Sequence, residues 1–187
     1  MAIGWQGERI RFVPLDKSKH GENCYRWIND PDISDWILIG DFPITPTAED
    51  KFLEELSAFS EKNVIFAVEL LDGTHIGQSG IHGIDIRHGF ATTGSFIGAK
   101  EHQGVGLGTE ASQLRAWYCF YVLGLRLITS GYLEGNIQSQ RMNEKTGYVE
   151  FGRVPKQYWK RGMYRDHIHT LLTRERWLEL SGGNKSW

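Results

Sequence analysis

The residues most suggestive of chemistry form a glycine-rich stretch, Gln103-Gly104-Val105-Gly106-Leu107-Gly108-Thr109-Glu110-Ala111. Glycines there let the backbone take positive φ and come close to a bound group. The apolar spacing that follows predicts a helix running to about Leu123. The free N–H groups and dipole at its start favour an anion such as a phosphate. A nucleoside-triphosphate loop is excluded, because no Gly-Lys-Ser/Thr follows. Gly106-x-Gly108-x-x-Ala111 formally fits a dinucleotide fingerprint, with Glu134 at a distance suited to a ribose. That fingerprint requires a strand ending at its first glycine, whereas residues 99–103 intervene here.

Further groups carry polar chemistry. Residues 136–148 read as a short polar helix closed by Gly147, with Asn136 suited to cap it and Ser139 one turn in. Residues 27–41 combine Asp30, Asp32, Asp35 and Asp41 with Trp27 and Trp36. Carboxylates beside aromatic rings suit a cationic ligand; the same composition also makes a solvated loop. A basic strip, Lys156, Lys160, Arg161 and Arg165, stands against it. His82 and Asp85 share one strand, and His167-x-His169 another. With no cysteine or third histidine nearby in sequence, the latter pair reads as structural, and no metal site is expected.

The elements that must position these residues follow from periodicity. Strands are expected at 9–15, 64–71, 75–86, 91–98, 126–133, 148–153 and 167–174. Helices are expected at 19–28, from an N-cap at Thr47 with Phe52, Leu53, Leu56 and Phe59 on one face, at 108–123 and at 136–145. A long loop is expected between the last two strands. Asp72-Gly73 marks a hairpin. The fold class is thus α/β (α+β): a mixed, mostly antiparallel sheet of about seven strands with helices on both faces.

The chain has 187 residues, 40% hydrophobic and 24% charged. That suits one domain, 1–180, with a small polar tail at 181–187. A formal net charge of −2 gives no field for nucleic acid or an anionic membrane. No apolar run is long enough to span a bilayer, and the opening residues lack a secretory pattern. A cytoplasmic protein is expected, with Cys24 and Cys119 as buried thiols.

Taken together, these motifs resemble the GNAT N-acetyltransferase superfamily. Gln103, Gly106 and Gly108 fill its Q/R-x-x-G-x-G/A signature. Asn136, Ser139, Arg141, Glu144, Lys145, Gly147 and Tyr148 resemble the N-x-x-S-x-R-x-x-E-K-x-G-F/Y stretch of the branch that acetylates ribosomal-protein N-termini. Trp27-Ile28-Asn29-Asp30-Pro31-Asp32 and Gly162-x-Tyr164-Arg165-Asp166 resemble the same branch. The resemblance implies that the backbone of Phe96, Ile97 and Gly98 pairs with the pantetheine arm of acetyl-CoA. It implies that N–H groups of Gln103, Gly104, Val105, Gly106, Leu107, Gly108 and Thr109 hold the pyrophosphate. Asn136 would bind amide groups of the arm, and Asn143 and Lys145 the nucleotide end.

Many members protonate the leaving thiolate with a tyrosine. Asn143 stands at that position, and Ser139 is the replacement the branch suggests. Related sequences carry a glutamate as base where this chain has Thr92 and Thr93. His82 and Asp85, acting through a water, or solvent alone, then remain as candidates. The expected reaction is acetyl transfer to a small cationic amine, an aminoglycoside, amino sugar or polyamine, with antibiotic resistance as a role. Trp27, Asp30, Asp32, Asp35 and Trp36 would border that acceptor. Acetylation of a protein N-terminus is the alternative; a CoA-binding sensor and a dinucleotide-dependent oxidoreductase are remoter ones. Exposed aromatics such as Trp159 and Trp187 suggest a homodimer.

Overall fold

A computed structural model describes residues 5–182. The expected tail from 183 on, including Trp187, lies outside the described residues, as do residues 1–4. Eight strands form one sheet: β1 (Trp5–Gln6), β2 (Ile10–Pro14), β3 (Val64–Leu70), β4 (His75–Asp85), β5 (Phe90–Ile97), β6 (Leu127–Leu133), β7 (Val149–Lys160) and β8 (Met163–Thr173). Their order is β1-β2-β3-β4-β5-β6-β8-β7, antiparallel throughout except where β5 meets β6. Helices are α1 (Lys17–Ile28), α2 (Pro31–Ser34), α3 (Pro46–Ser57), α4 (Leu107–Trp117), α5 (Ile137–Thr146) and α6 (Arg174–Leu180). The mixed, mostly antiparallel sheet matches the expectation, with one strand more than the seven read from sequence.

Alternation along β2 and β3 builds two cores. Ile10, Phe12, Phe66 and Val68 pack with Leu114 and Tyr118 of the α4 segment. Val13, Leu15 and Ala67 pack with Cys24 of α1 and Leu53 of α3. Successive strand side chains point to opposite faces, so helices cover both. Cys24 and Cys119 therefore sit in different cores as free, buried thiols. Burial raises them to about 11 and about 12.

Local chemistry moved several boundaries. Thr45, not Thr47, caps α3, because Pro46 occupies the first helical position, where its missing N–H costs nothing. The helix buries Glu49 and Leu53, while Phe52 and Phe59 face solvent. The loop expected before residue 167 is instead a long hairpin. Its turn is Arg161-Gly162, both at positive φ, the geometry a two-residue hairpin needs. Pro155, which argues against a strand, is absorbed where the register shifts between Val154 and Tyr158.

One buried carboxylate ties three elements together. Glu69 of β3 is fully buried and accepts from Arg11 of β2 and from Lys19 and His20 of α1, at 2.5 to 3.0 Å. Burial alone would raise its pKa, but Lys19, His20 and Arg11 outweigh it and hold the carboxyl at about 2. A depressed carboxylate stabilises the fold above its unfolded pKa of 4.5, and that contribution fades as pH falls towards 2. Glu69→Gln should cost on the order of 3 kcal/mol at pH 7. The difference from wild type should shrink below about pH 4.5. Urea unfolding at pH 7 and at pH 3 measures both.

Candidate active site

The parallel ladder between β5 and β6 covers three residue pairs, Phe90–Leu127, Ala91–Ile128 and Thr92–Thr129, and stops. Beyond it β5 stays with β4 as far as Ile97, and β6 stays with β8 as far as Leu133. The sheet thus forks into two leaves, and alternate backbone groups of residues 93–97 face the opening. A side chain sits at the fork. Buried Thr93 donates its hydroxyl to the carbonyl of Thr129 at 2.9 Å and lies 3.0 Å from the Tyr148 hydroxyl. Below them Arg115 is fully buried, bonded to Ser79 and Ser112. Thr92 and Thr129 meet hydroxyl to hydroxyl on the other face at 3.1 Å.

The glycine loop lies where β5 leads into α4. Gly106 caps the helix in the left-handed region, at φ 91°, and Gly104 is at φ 75°. Glu110 N–H already bonds Gly106 O, so the N–H groups of Leu107, Gly108 and Thr109 are the free ones at the helix start. Gln103 braces the loop by donating to Ile97 O at 2.7 Å. Arg9 was not singled out from sequence. It braces the other side, bonding Val105 O at 3.0 Å and the Glu110 carboxylate at 2.8 Å. Arg9 and Lys145 line a common depression with Gly106 and Thr109, so two cations flank the free N–H groups. No sequence signal linked Arg9 to residues almost a hundred positions away.

On the far side of the fork, Asn136 caps α5 by accepting from Ser139 N–H at 3.0 Å, and its amide donates to Trp36 O at 3.4 Å. Met142 touches Ser95 of β5 at 4.0 Å. Ser139, three residues earlier on the same helix face, therefore looks into the fork. Its hydroxyl bonds no other described residue. Asn143 is 2% exposed and tied to Ser139 O and Thr170, so its side chain is engaged inside the protein. Lys145 is exposed.

The acidic loop is brought against the hairpin, with every aspartate paired. Lys100 bridges Asp30 and Asp32 at 2.8 Å. Arg161 holds Asp32 and Asp35, and buried Lys160 holds Asp41 and Ser34 O. Arg165 lies over the Trp36 ring, 4.7 Å from its centre. Trp27, expected beside the acceptor, is instead 2% exposed; its indole fills the space a side chain at Gly98 would need. It supports the end of β5 from the core. Asp85 sits away at the β4–β5 turn, accepting from His88 N–H and 2.9 Å from its ring nitrogen. His82 lies on the exposed face beside Thr92. Among the described residues, no group of three or more His, Cys, Asp or Glu side chains is placed to hold a metal. Among them too, no helix is long and apolar enough to cross a membrane.

A fork with a helix N-terminus at one end suits a cofactor with a pyrophosphate and an amide-bearing arm. The free N–H groups and flanking cations fit the phosphates, and the unpaired strand edges fit the amides. Comparison with known proteins agrees. The GNAT acetyltransferase domain matches residues 9–149. YdaF of Bacillus subtilis, provisionally named a ribosomal N-acetyltransferase, is 27% identical over 80% of this chain and 82% of its own. The spermidine N(1)-acetyltransferase of Vibrio cholerae is 27% identical over 74% of this chain and 71% of its own. The spermidine N-acetyltransferase of Vibrio cholerae, solved with CoA and spermine, superposes with a TM-score of 0.81 at 22% identity. That match covers 92% of this chain and 99% of the other. Mycobacterium smegmatis RimJ, solved with CoA-disulfide, superposes at 0.78 and 20% identity, covering 92% and 89%.

Gly106→Val tests the loop. Only the flexible tip of Arg9 lies near a Cβ at this position, so crowding is not the obstacle. A β-branched residue at φ 91° is strained, by roughly 1–3 kcal/mol, and the loop would shift to relieve it. Acetyl-CoA affinity, measured by titration calorimetry, should fall about tenfold or more, with Glu69 and the core unaffected.

Proposed function

The chain belongs to the GNAT acetyltransferase family, and from that premise we propose that it moves acetyl from acetyl-CoA to the primary amine of a small polar acceptor. The fork between β5 and β6, with α4 starting at its mouth, carries the reading. Acetyl-CoA supplies an activated thioester carbonyl. The chain's own groups do the rest. Free N–H groups of residues 107–109, with Arg9 and Lys145 beside them, bind the phosphates. Backbone groups of residues 93–97 and the Asn136 amide orient the arm. Ser139 donates a hydrogen bond to the departing sulfur; a serine hydroxyl is a poor acid, so stabilising the thiolate is its main contribution.

The hairpin straps support a small acceptor. Lys160 and Arg161 tie the β7–β8 turn to residues 31–41, roofing the side of the fork opposite the glycine loop. A polyamine, amino sugar or aminoglycoside would enter beneath the roof more readily than a folded protein's terminus. Because each aspartate there has a basic partner, those residues shape the entrance more than they attract charge. A protein N-terminus is the second reading, favoured by the similarity to YdaF.

Free-thiol release with a panel of polyamines, amino sugars, aminoglycosides and N-terminal peptides tests the acceptor. Turnover by a small amine supports the first reading; turnover by peptides alone overturns it. Ser139→Ala should lower kcat about tenfold to a hundredfold, the worth of a hydrogen bond to a charged group. Acetyl-CoA affinity should stay within twofold of wild type, about 0.4 kcal/mol. Lost affinity with unchanged kcat would make Ser139 a binding residue.

A further inference from the structure

On the face that carries α1 and the acidic loop, each leaf of the fork places a histidine ring over a glycine. His82 of β4 lies over Gly80, so that a side chain at Gly80 would overlap its ring. His167 of β8 lies over Gly131 of β6 in the same way. Gly94 of β5 pairs with Gly80, and were the parallel ladder to continue past Thr92–Thr129, Gly94 would face Gly131. Above Gly94 a Cβ would meet nothing within 4 Å. The row Gly80, Gly94, Gly131 therefore floors an open slot with an imidazole over each end. Any larger residue in that row would fill it.

The two histidines differ. His82 is exposed, whereas His167 is 8% exposed and its Nδ1 is buried without a hydrogen-bond partner among the described residues. With Nδ1 enclosed, Nε2, the ring atom nearest Gly131, is the nitrogen turned toward the row. The groups facing His167 are His169 on its own strand, ring centres 4.2 Å apart, and Tyr158 of β7, 5.3 Å away at a right angle. From β6 it meets Gly131 and Leu133, neither charged. Arg165, two residues before it, is engaged by Glu134 O and Trp36. Burial first, then His169, holds His167 below the ordinary imidazole range, so it is neutral near pH 7 and able to accept a proton.

We propose that His167 is the general base of the reaction, its Nε2 taking the proton of an acceptor ammonium held over Gly94. This rests on the acetyltransferase reading above. One ammonium N–H bond breaks and an imidazole N–H bond forms. The freed nitrogen pair forms the C–N bond to the thioester carbonyl carbon, and the C–S bond breaks with its pair on sulfur. The nitrogen's second proton ends on sulfur beside Ser139. His167 returns the first to water, so one proton is released per acetyl transferred. Asp85 takes no part, being held by His88 at the β4–β5 turn.

The test compares wild type, His167→Gln and His82→Gln with the fastest amine of the panel, following thiol release between about pH 5 and 9. Acetyl-CoA calorimetry and thermal melts accompany the kinetics. A base works only when neutral, so wild-type kcat/KM should rise with pH through the imidazole titration. His167→Gln should lower kcat/KM about a hundredfold and remove that acid limb, with acetyl-CoA affinity and melting temperature held. Free imidazole should partly restore His167→Ala. His82→Gln should keep the limb. An unchanged limb in His167→Gln, its loss in His82→Gln, or a fall in affinity and melting temperature alongside the rate would overturn the assignment to His167. Acetyl-CoA bound by wild type without turnover of any amine would instead overturn the acetyltransferase reading on which it stands.

Discussion

The rest of the structure depends on where the parallel pairing of β5 with β6 ends. Parallel strands hold together by slanted backbone hydrogen bonds, and at Thr93, just past the last pair of the ladder, the hydroxyl also donates to the Thr129 carbonyl. Tyr148 stands against the same hydroxyl, brought there by the Gly147 cap that turns the chain out of α5. From that point β5 follows β4 and β6 follows β8. The glycine loop, Ser139, and the glycine row beneath the histidines are all placed relative to this opening. In the proposed reading, closing it would leave the arm of acetyl-CoA no backbone to pair with.

The ends of the opening are held by different physics. At the loop end, glycine backbone at positive φ and the Arg9–Glu110 pair fix a helix start with three free N–H groups. At the other end, ion pairs between residues 30–41 and the hairpin fix the roof, with Lys160 as the one basic group there that is fully enclosed. A buried cation released from its carboxylate is costly, whereas an exposed pair contributes little. Lys160 is thus the strut, and Arg161 and Lys100 are outer braces.

Much of the fold was legible in the sequence. Alternation in residues 64–70 and 75–85, the Asp72-Gly73 turn and the Gly147 cap each report a local backbone preference. Two boundaries fell elsewhere than expected, one for a tertiary reason and one for a local reason. Pro155 hid a strand that a bulge accommodates, and Thr47 lost its cap to Thr45 because proline favours the first helical position. The loop Gln103 to Thr109 was readable because glycines at positive φ that open a helix form a contiguous motif.

The sequence by itself determined the order of strands and helices, the glycine loop with the helix it opens, and the reaction that this pattern implies, since all of these reside in short-range spacing. Only the tertiary structure decided that Trp27 is core, that the aspartates are already paired, that Arg9 braces the loop, and that His82 and His167 lie over glycines of opposite leaves. These depend on which residues, dozens of positions apart, pack face to face. That is set by strand pairing and burial across the whole chain, and no local pattern encodes it.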